Sequence, residues 1–292
     1  MSIDKLQEKI RKMKNPSMVD FSVELDKIPP HILEEENNEI LGYERFCREL
    51  MDGLRNLVPA VRFNMGRFSI LGSDGLFLLS RLTAYAKELD YYVLLDAPEC
   101  LSRDNAEFAV KQLFSDKCLW RFDGLCISIY AGSDVLKPYV KLLKASEKDL
   151  FVVLRTANKS APELQDLLTG SRLVHMAAAD VVNRLAQPLI GRSGYSQVAV
   201  VGPASVADIL KKLRARYTNL FLLLDGYDYT NANAKNCSFA FDRLGHGAIA
   251  CADRGVLAAW NTDSSDGTQY AQQAVEAAER MKKNLLRYVN VL

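Results

Sequence analysis

The sequence predicts an α/β protein folded as a single (β/α)8 TIM barrel that spans residues 1–292. Eight short runs are apolar or β-branched on successive positions rather than alternating ones, which is typical of parallel strands buried on both faces. Segments of helical period separate these runs, and the alternation extends over roughly 270 residues, the usual size of such a barrel. An open doubly wound sheet gives the same alternation, but the chain has neither a G-x-G-x-x-G nor a Walker A motif to favour it.

The predicted strands and helices follow one another without an internal repeat or a linker, so one domain is expected. The strands are expected near Ser17–Val23, Pro59–Asn64, Tyr91–Ala97, Gly124–Ile129, Leu150–Thr156, Gln197–Gly202, Leu220–Asp225 and Gly247–Ala252. Helical period is found at Met1–Lys14, Ile40–Leu57, Gly75–Leu89, Asn105–Phe114, Asp134–Leu143, Ser205–Tyr217 and Gln269–Tyr288. The longest helical region is Pro162–Leu189, as one helix or as two with a break. Pro203 and Ser205 are expected at a helix start.

Composition bounds the function classes. Of the 292 residues 49% are hydrophobic and 25% charged, and the formal net charge of +1 gives no reason to expect binding to nucleic acid or to an anionic membrane. No apolar run approaches the ~18 residues of a membrane span, and the charged N-terminus is unlike a signal peptide. Six scattered cysteines and three histidines argue against a zinc ribbon or a disulfide framework. We therefore expect a cytoplasmic protein without a metal or a cofactor.

Polar residues at the ends of the predicted strands are the candidates for a functional site, because a barrel of this kind builds its site where strands run into the following loops. The stretch YYVLLDAPECLS at Tyr91–Ser102 is the most suggestive, since it delivers Asp96, Glu99 and Cys100 to one strand end. Each such residue can also be an ordinary turn former or helix cap. The full set is Ser22, Arg62, Asn64, Asp96, Glu99, Cys100, Tyr130, Thr156, Asn158, Ser205, Asp225, Asp228, Asp253 and Arg254.

Along nearly its whole length the chain resembles orotidine 5′-phosphate decarboxylases of the longer bacterial type. The resemblance implies a barrel like those that bind ribulose phosphates, with activity as a carboxy-lyase of pyrimidine biosynthesis. The motifs that carry it are NPSMV at Asn15–Val19, IPPHI at Ile28–Ile32, VPAVR at Val58–Arg62, LLDA at Leu94–Ala97, YAGSD at Tyr130–Asp134, LRTANK at Leu154–Lys159, ELQDL at Glu163–Leu167, VVGP at Val200–Pro203, DGY at Asp225–Tyr227 and DRG at Asp253–Gly255.

The resemblance also implies that the catalytic machinery is lost. The family uses an alternating lysine–aspartate–lysine–aspartate array, and the four matching positions hold Arg62, Asp96, Pro98 and Leu101. The central lysine stabilises the carbanionic charge left by carbon dioxide and supplies a proton, which Pro98 cannot do. Arg62 keeps a cation, but its pKa is too high for ready proton transfer. Asp96 and Arg62 are then remnants of the array.

Binding positions implied by the resemblance are altered as well. Ser22 stands where the family has a nucleotide-binding aspartate, with Asp20 or Asp26 as substitutes out of register. The family's glycine-rich phosphate loop has become 225–232, DGYDYTNA, which brings in two carboxylates that repel a dianion. Arg254 matches the family's phosphate-binding arginine and either offsets that repulsion or, as we favour, is neutralised by Asp225, Asp228 or Asp253. Thr156 and Asn158 match a ligand-binding loop but can equally cap it.

Other chemistries find less support in the sequence. Cys100 is expected to be inert because Glu99 would raise its pKa. A metal or acid–base site from Asp96 and Glu99 is the less favoured alternative to a simple turn, and the histidines have no triad spacing. The tract RFNMGRF at Arg62–Phe68 could bind an acidic partner, but it is better interpreted as a loop covering the barrel mouth.

Three functions remain open. The preferred one is a non-catalytic binding or regulatory protein for a small anionic ligand or a nucleotide, either as a homodimer or as a heterodimer with an active paralogue. The alternative is an active lyase that converts orotidine 5′-phosphate to UMP and carbon dioxide, or acts on another nucleotide or phosphosugar through Arg62, Asp96, Thr156 and Arg254. A scaffold that binds only another protein is the third.

Overall fold

The structure, a computed structural model, describes residues 1–97, 106–228, 232–262 and 265–292. Eight parallel strands form a closed barrel in which each strand pairs with the next barrel strand along the chain and the last pairs with the first. The predicted fold class is thus confirmed. The barrel strands are β1 (Ser17–Asp20), β2 (Ala60–Asn64), β3 (Tyr92–Asp96), β4 (Gly124–Ser128), β5 (Asp149–Val153), β8 (Val198–Pro203), β9 (Leu222–Asp225) and β10 (Ala248–Ala252).

Helices surround the barrel, and a small hairpin interrupts the alternation. The helices are α1 (Ser2–Met13), α2 (Pro30–Glu36), α3 (Glu39–Leu54), α4 (Met65–Ser69), α5 (Gly72–Glu88), α6 (Ala106–Leu113), α7 (Ser133–Ser146), α8 (Val174–Ala186), α9 (Ala207–Arg216), α10 (Ala234–Ser238), α11 (Arg254–Leu257) and α12 (Tyr270–Leu286). The hairpin pairs β6 (Leu168–Thr169) with β7 (Arg172–Leu173). Within the described ranges no helix combines the length and the apolarity that a membrane crossing requires.

Two sequence-based expectations about helices are wrong. The region expected to be helical from Pro162 to Leu189 contains the β6–β7 hairpin in its first half, and α8 begins only at Val174. Gly170 makes the hairpin turn with a φ of 63°, a left-handed conformation that glycine adopts without steric penalty. The helix expected to start at Ser205 begins at Ala207, because Pro203 is the last residue of β8.

Helix α1 closes the barrel at the N-terminal ends of the strands. Its apolar face is fully buried, with Ile3, Leu6 and Ile10 at 0% exposure. Asp149, which begins β5, is also fully buried at this end, and its carboxyl group accepts a hydrogen bond of 2.8 Å from the Tyr92 hydroxyl. Burial raises the pKa of Asp149 well above its ordinary value. Because this end is plugged, access to the barrel interior is from the opposite end, where the strands finish.

Candidate functional site

An arginine held by three carboxylates lies at the C-terminal mouth of the barrel. Arg62 of β2 contacts Asp225 Oδ1 through Nη1 at 2.6 Å and Asp96 Oδ2 through Nη2 at 2.7 Å. Its Nε lies 3.0 Å from Asp20 Oδ2 as an ion pair, without the alignment of a hydrogen bond. Strand register explains the grouping, since Asp20 is paired with Arg62 and Asn64 with Asp96 across adjacent strands. With all groups ionised, three negative charges surround one positive charge.

The environment of this cluster changes the proton affinities of its members. Burial by itself would lower the pKa of Arg62, but Asp96, Asp225 and Asp20 outweigh it and hold that pKa well above its ordinary value. Burial raises the pKa of Asp20 to about 6, and Arg62 offsets this only in part because its charge is shared with two other carboxylates. The guanidinium therefore keeps its proton, whereas Asp20 titrates near neutrality.

Two thiols beside the cluster are poor nucleophiles. Cys126 and Cys251 are buried on β4 and β10, and burial is the largest of the effects that raise their pKa values well above the ordinary range. Asp96 raises the pKa of Cys126 further. A thiol with a raised pKa stays protonated at neutral pH, so neither residue offers the thiolate that covalent catalysis requires.

A further carboxylate, that of Asp228, lies at the N-terminal end of α11. Asp228 Oδ2 accepts hydrogen bonds from the backbone N–H of Asp253 at 2.6 Å and of Gly255 at 3.0 Å. Only glycine permits this approach, because a Cβ at position 255 would lie 2.5 Å from Asp228 Oδ1. Burial raises the pKa of Asp228 to about 6 although both N–H groups lower it. The protein thus supplies its own anion to these two donors.

Arg254 also has a carboxylate partner, although not one that the sequence suggested. It contacts Glu24 through Nε at 3.2 Å and through Nη2, and Arg67 contacts the same carboxylate at 2.7 Å. These two arginines outweigh the effect of burial and lower the pKa of Glu24 to about 2. The expected neutralisation by Asp225, Asp228 or Asp253 is therefore corrected to Glu24. Asp225 is engaged by Arg62, and Asp228 by the backbone of α11.

Above the arginine lies a cavity of about 320 Å³. Polar groups face it from several strand ends, and Val153, Val201 and the ring of Tyr130 add apolar wall. The Tyr130 hydroxyl donates to the backbone oxygen of Leu154 at 2.6 Å, which fixes the ring. The described residues that line the cavity are Arg62, Asp96, Cys126, Ser128, Tyr130, Val153, Thr156, Gln165, Val201 and Asp225.

The segment before the β6–β7 hairpin is anchored so that Gln165 reaches this cavity. Gln165 Oε1 accepts a hydrogen bond of 2.8 Å from Thr156 N, and its backbone oxygen lies 2.9 Å from Nδ1 of the fully buried His175. Asp166 lies 3.0 Å from the same nitrogen and accepts a 3.1 Å bond from Arg155. His175 therefore braces the cavity wall and forms no catalytic triad within the described chain.

The structure brings together only part of the predicted site. Arg62, Asp96 and Thr156 line the cavity, whereas Ser22, Asn158 and Arg254 are not among its described lining residues. Ser22 Oγ accepts from Asn64 N at 2.6 Å and so ties β1 to the end of β2, and Asn158 accepts from the Thr156 hydroxyl at 2.5 Å. Their predicted ligand-binding roles stay predictions.

The predicted catalytic positions that follow β3 cannot be compared with the structure. Pro98, Glu99, Cys100 and Leu101 lie outside the described residues. The tract Arg62–Phe68 is described, and it is not a loop over the mouth. It forms the end of β2 and helix α4, with Phe63 and Phe68 at 0% exposure in the core. No group of three or more His, Cys, Asp or Glu side chains among the described residues is arranged to hold a metal ion.

The sequence did not predict the contacts that Asp20, Glu24 and Gln165 make in the site. The sequence contains a signal for Asp20, because it is the last residue of β1 and a polar residue at the end of a buried strand is expected at the barrel mouth. Glu24 and Gln165 carry no such signal, since their roles depend on partners in other βα loops.

Comparison with known proteins supports the resemblance. No family model matches the chain. It is 28% identical over 290 residues to the orotidine 5′-phosphate decarboxylase of Petrotoga mobilis and 25% identical over 288 residues to that of Clostridium kluyveri, with 98% of each chain covered in both cases. Among solved structures, the decarboxylase of Leishmania donovani matches with a TM-score of 0.71 at 22% identity, covering 97% of this chain and 99% of its own. That of Plasmodium berghei has a TM-score of 0.76 at 14% identity, covering 97% and 98%.

Proposed function

We propose that this chain, which resembles orotidine 5′-phosphate decarboxylases over nearly its whole length, is a non-catalytic binding or regulatory protein built on their barrel. The observation that carries the proposal is the state of Arg62, which occupies the position of the family's first catalytic lysine. Its side chain is 12% exposed, and its guanidinium contacts Asp20, Asp96 and Asp225. These carboxylates hold its proton tightly, so Arg62 is a poor proton donor to a carbanion.

The other altered positions point the same way. Pro98 and Leu101 replace the lysine and the aspartate that follow Asp96 in the family motif, and neither side chain has an ionisable group. Decarboxylation that leaves charge on a ring carbon needs a cation to stabilise the charge and an acid to protonate it. Pro98 and Leu101 lie outside the residues that the structure describes, and their residue types alone exclude these roles.

A phosphate group would meet carboxylates where the family binds it. Asp228 already accepts from the N–H groups of Asp253 and Gly255, and Glu24 is engaged by Arg254. Two like unit charges ~6 Å apart repel by about 3 kcal/mol at an effective dielectric of ~20, and a phosphate dianion doubles that figure. These contacts support the view that the chain has given up tight binding of nucleotide phosphates.

Purified protein is therefore expected to leave orotidine 5′-phosphate at its uncatalysed rate of decarboxylation, which a continuous ultraviolet absorbance assay would measure. Titration with UMP up to millimolar concentration is expected to give no saturable signal. The reason is that Pro98 cannot donate a proton and that, among the described residues, Arg254 and the N–H groups of Asp253 and Gly255 already contact carboxylates of the chain.

The alternative of an active lyase would be established by an enzyme-like rate that Asp96→Asn abolishes, and non-catalytic function would then be wrong. Saturable binding of UMP that is lost in Arg254→Ala would likewise restore a nucleotide ligand. If no small molecule binds and a protein partner is captured tightly, the scaffold role replaces both.

We also propose that the chain forms a dimer through its mouth-side face, as a homodimer or as a heterodimer with an active paralogue. Three large apolar side chains support an interface on the helices that follow β2 and β3, with Ile70 82%, Phe77 56% and Phe108 67% exposed. Sedimentation of the purified chain is expected to give twice its mass of 32.7 kDa if the dimer is homomeric. A monomer that pairs only with an added paralogue would indicate the heterodimer, and a monomer under both conditions would contradict the proposal.

A further inference from the structure

We infer that the 320 Å³ cavity at the barrel mouth selects a small cationic ligand, an amidinium or amine on a short planar body. The inference rests on the proposed function, since it requires that the site no longer serves a nucleotide phosphate. It replaces the small anionic ligand that the sequence favoured with a ligand of opposite charge.

Negative charges outnumber positive ones at the floor of the cavity. Asp96 and Asp225 line the cavity, and the one cation among its described lining residues, Arg62, is shared with Asp20 as well. Three carboxylates against one guanidinium leave two negative charges, or one when Asp20 carries a proton. An incoming cation reduces this imbalance, and an anion increases it.

Hydrogen-bond donors are scarce around the carboxylates next to the cavity. Behind Arg62 a space of about 30 Å³ is lined by Asp20, Asp225 and Asp253, among others. Asp20 is 8% exposed, and its Oδ1 has no hydrogen-bond donor among the described residues. Asp20 lines this space and not the 320 Å³ cavity, so its unsatisfied oxygen shows that donors are scarce around the carboxylates next to the cavity.

The size and lining of the cavity favour a compact, planar ligand. A volume of about 320 Å³ lies at the lower end of the ~300–1,000 Å³ usual for small-molecule pockets, which points to a compact ligand. The fixed ring of Tyr130 offers a face for a planar cation, and Val153 and Val201 supply apolar contacts. Ser128 and Thr156 add hydroxyl oxygens that can accept from the ligand's N–H groups.

The cations of the mouth cannot easily turn to an anion instead. Arg62 would have to leave three carboxylates, and Arg254 would have to leave Glu24. Arg62 is buried, so breaking its ion pairs without replacing them costs more than one new contact with a monovalent anion returns, whereas Arg254 is 53% exposed and its pair with Glu24 is weaker.

The test uses benzamidine, benzamide and benzoate, three planar molecules of nearly the same size that are cationic, neutral and anionic. Isothermal titration of the full chain at neutral pH is expected to show benzamidine binding at least about tenfold tighter than benzamide, with no saturation by benzoate. Asp225→Asn, which keeps the side-chain shape and removes one lining charge, is expected to weaken benzamidine at least about tenfold. Asp208→Asn, a change at a side chain that is 81% exposed on α9, is the matched control and should leave binding unchanged.

Benzoate binding as tightly as benzamidine, or no binding of benzamidine at millimolar concentration, would overturn the inference. Equal benzamidine affinity in Asp225→Asn and the native chain would do so too. If Asp225→Asn fails to fold, the inference is tested by the native chain alone, through its affinity for benzamidine relative to benzoate. Decarboxylation of orotidine 5′-phosphate by a chain that still prefers benzamidine would refute the proposed function and leave the charge preference standing.

Discussion

Arg62→Met is expected to lower the free energy of unfolding by about 3–5 kcal/mol, the usual loss when one partner of a buried charge cluster is removed. Methionine fills much of the volume of the arginine stem but leaves Asp20, Asp96 and Asp225 without the one cation that, in the described part of the chain, contacts all three of them. The penalty comes from these carboxylates, which are then close together and uncompensated. Urea denaturation at pH 7, followed by circular dichroism, measures the change.

Two control variants test whether the loss of stability comes from the three contacts of Arg62. Arg62→Lys keeps the charge but cannot reach three carboxylates with one ammonium, so an intermediate loss is expected. Arg67→Met removes an arginine that is 44% exposed and pairs with Glu24, and it should cost no more than about 1 kcal/mol. If Arg62→Met and Arg67→Met were equally stable, the cluster would not be the organising feature of the mouth.

The barrel was predictable because its strands are buried on both faces. The run YVLLD of β3 is apolar on successive positions until Asp96, and that pattern marks both the strand and the end at which the chain leaves the core. The hairpin around Gly170 escaped prediction because strands of two residues are too short to show a period, although the glycine was a turn signal.

The site was predictable only where one strand end carries the information. Asp96 and Asp225 each end a strand and Arg62 lies two residues before the end of β2, so their convergence at the mouth follows from the fold. The pairing of Arg254 with Glu24 joins residues 230 positions apart in two different loops, and no local pattern encodes it. Asp20 was not predicted as a partner of Arg62, because alignment to the family points to Ser22 instead. Strand register, which the sequence alone does not give, pairs Asp20 with Arg62.

Asp20→Asn is expected to stabilise the protein at alkaline pH by up to about 3 kcal/mol, with an effect that disappears in acid. Burial raises the pKa of Asp20 from 3.8 to about 6, so the folded state binds its proton more tightly than the unfolded chain does. The stability that Asp20 contributes is therefore complete below about pH 4 and is lost as the pH rises through about 6. Asparagine resembles the protonated acid and has no charge to lose.

The measurement is the difference in unfolding free energy between Asp20→Asn and the native chain, obtained by denaturant titration from about pH 4 to pH 8. That difference should grow from near zero to its full value, with its midpoint close to the Asp20 pKa of about 6. Asp208→Asn, a change at an exposed carboxylate, should give a curve parallel to that of the native chain. A difference that is constant with pH, or that favours the native chain at pH 8, would mean that Arg62 neutralises Asp20 fully. The cluster would then hold two negative charges in excess across this pH range, and the charge imbalance that favours cations in the cavity would not decrease in acid.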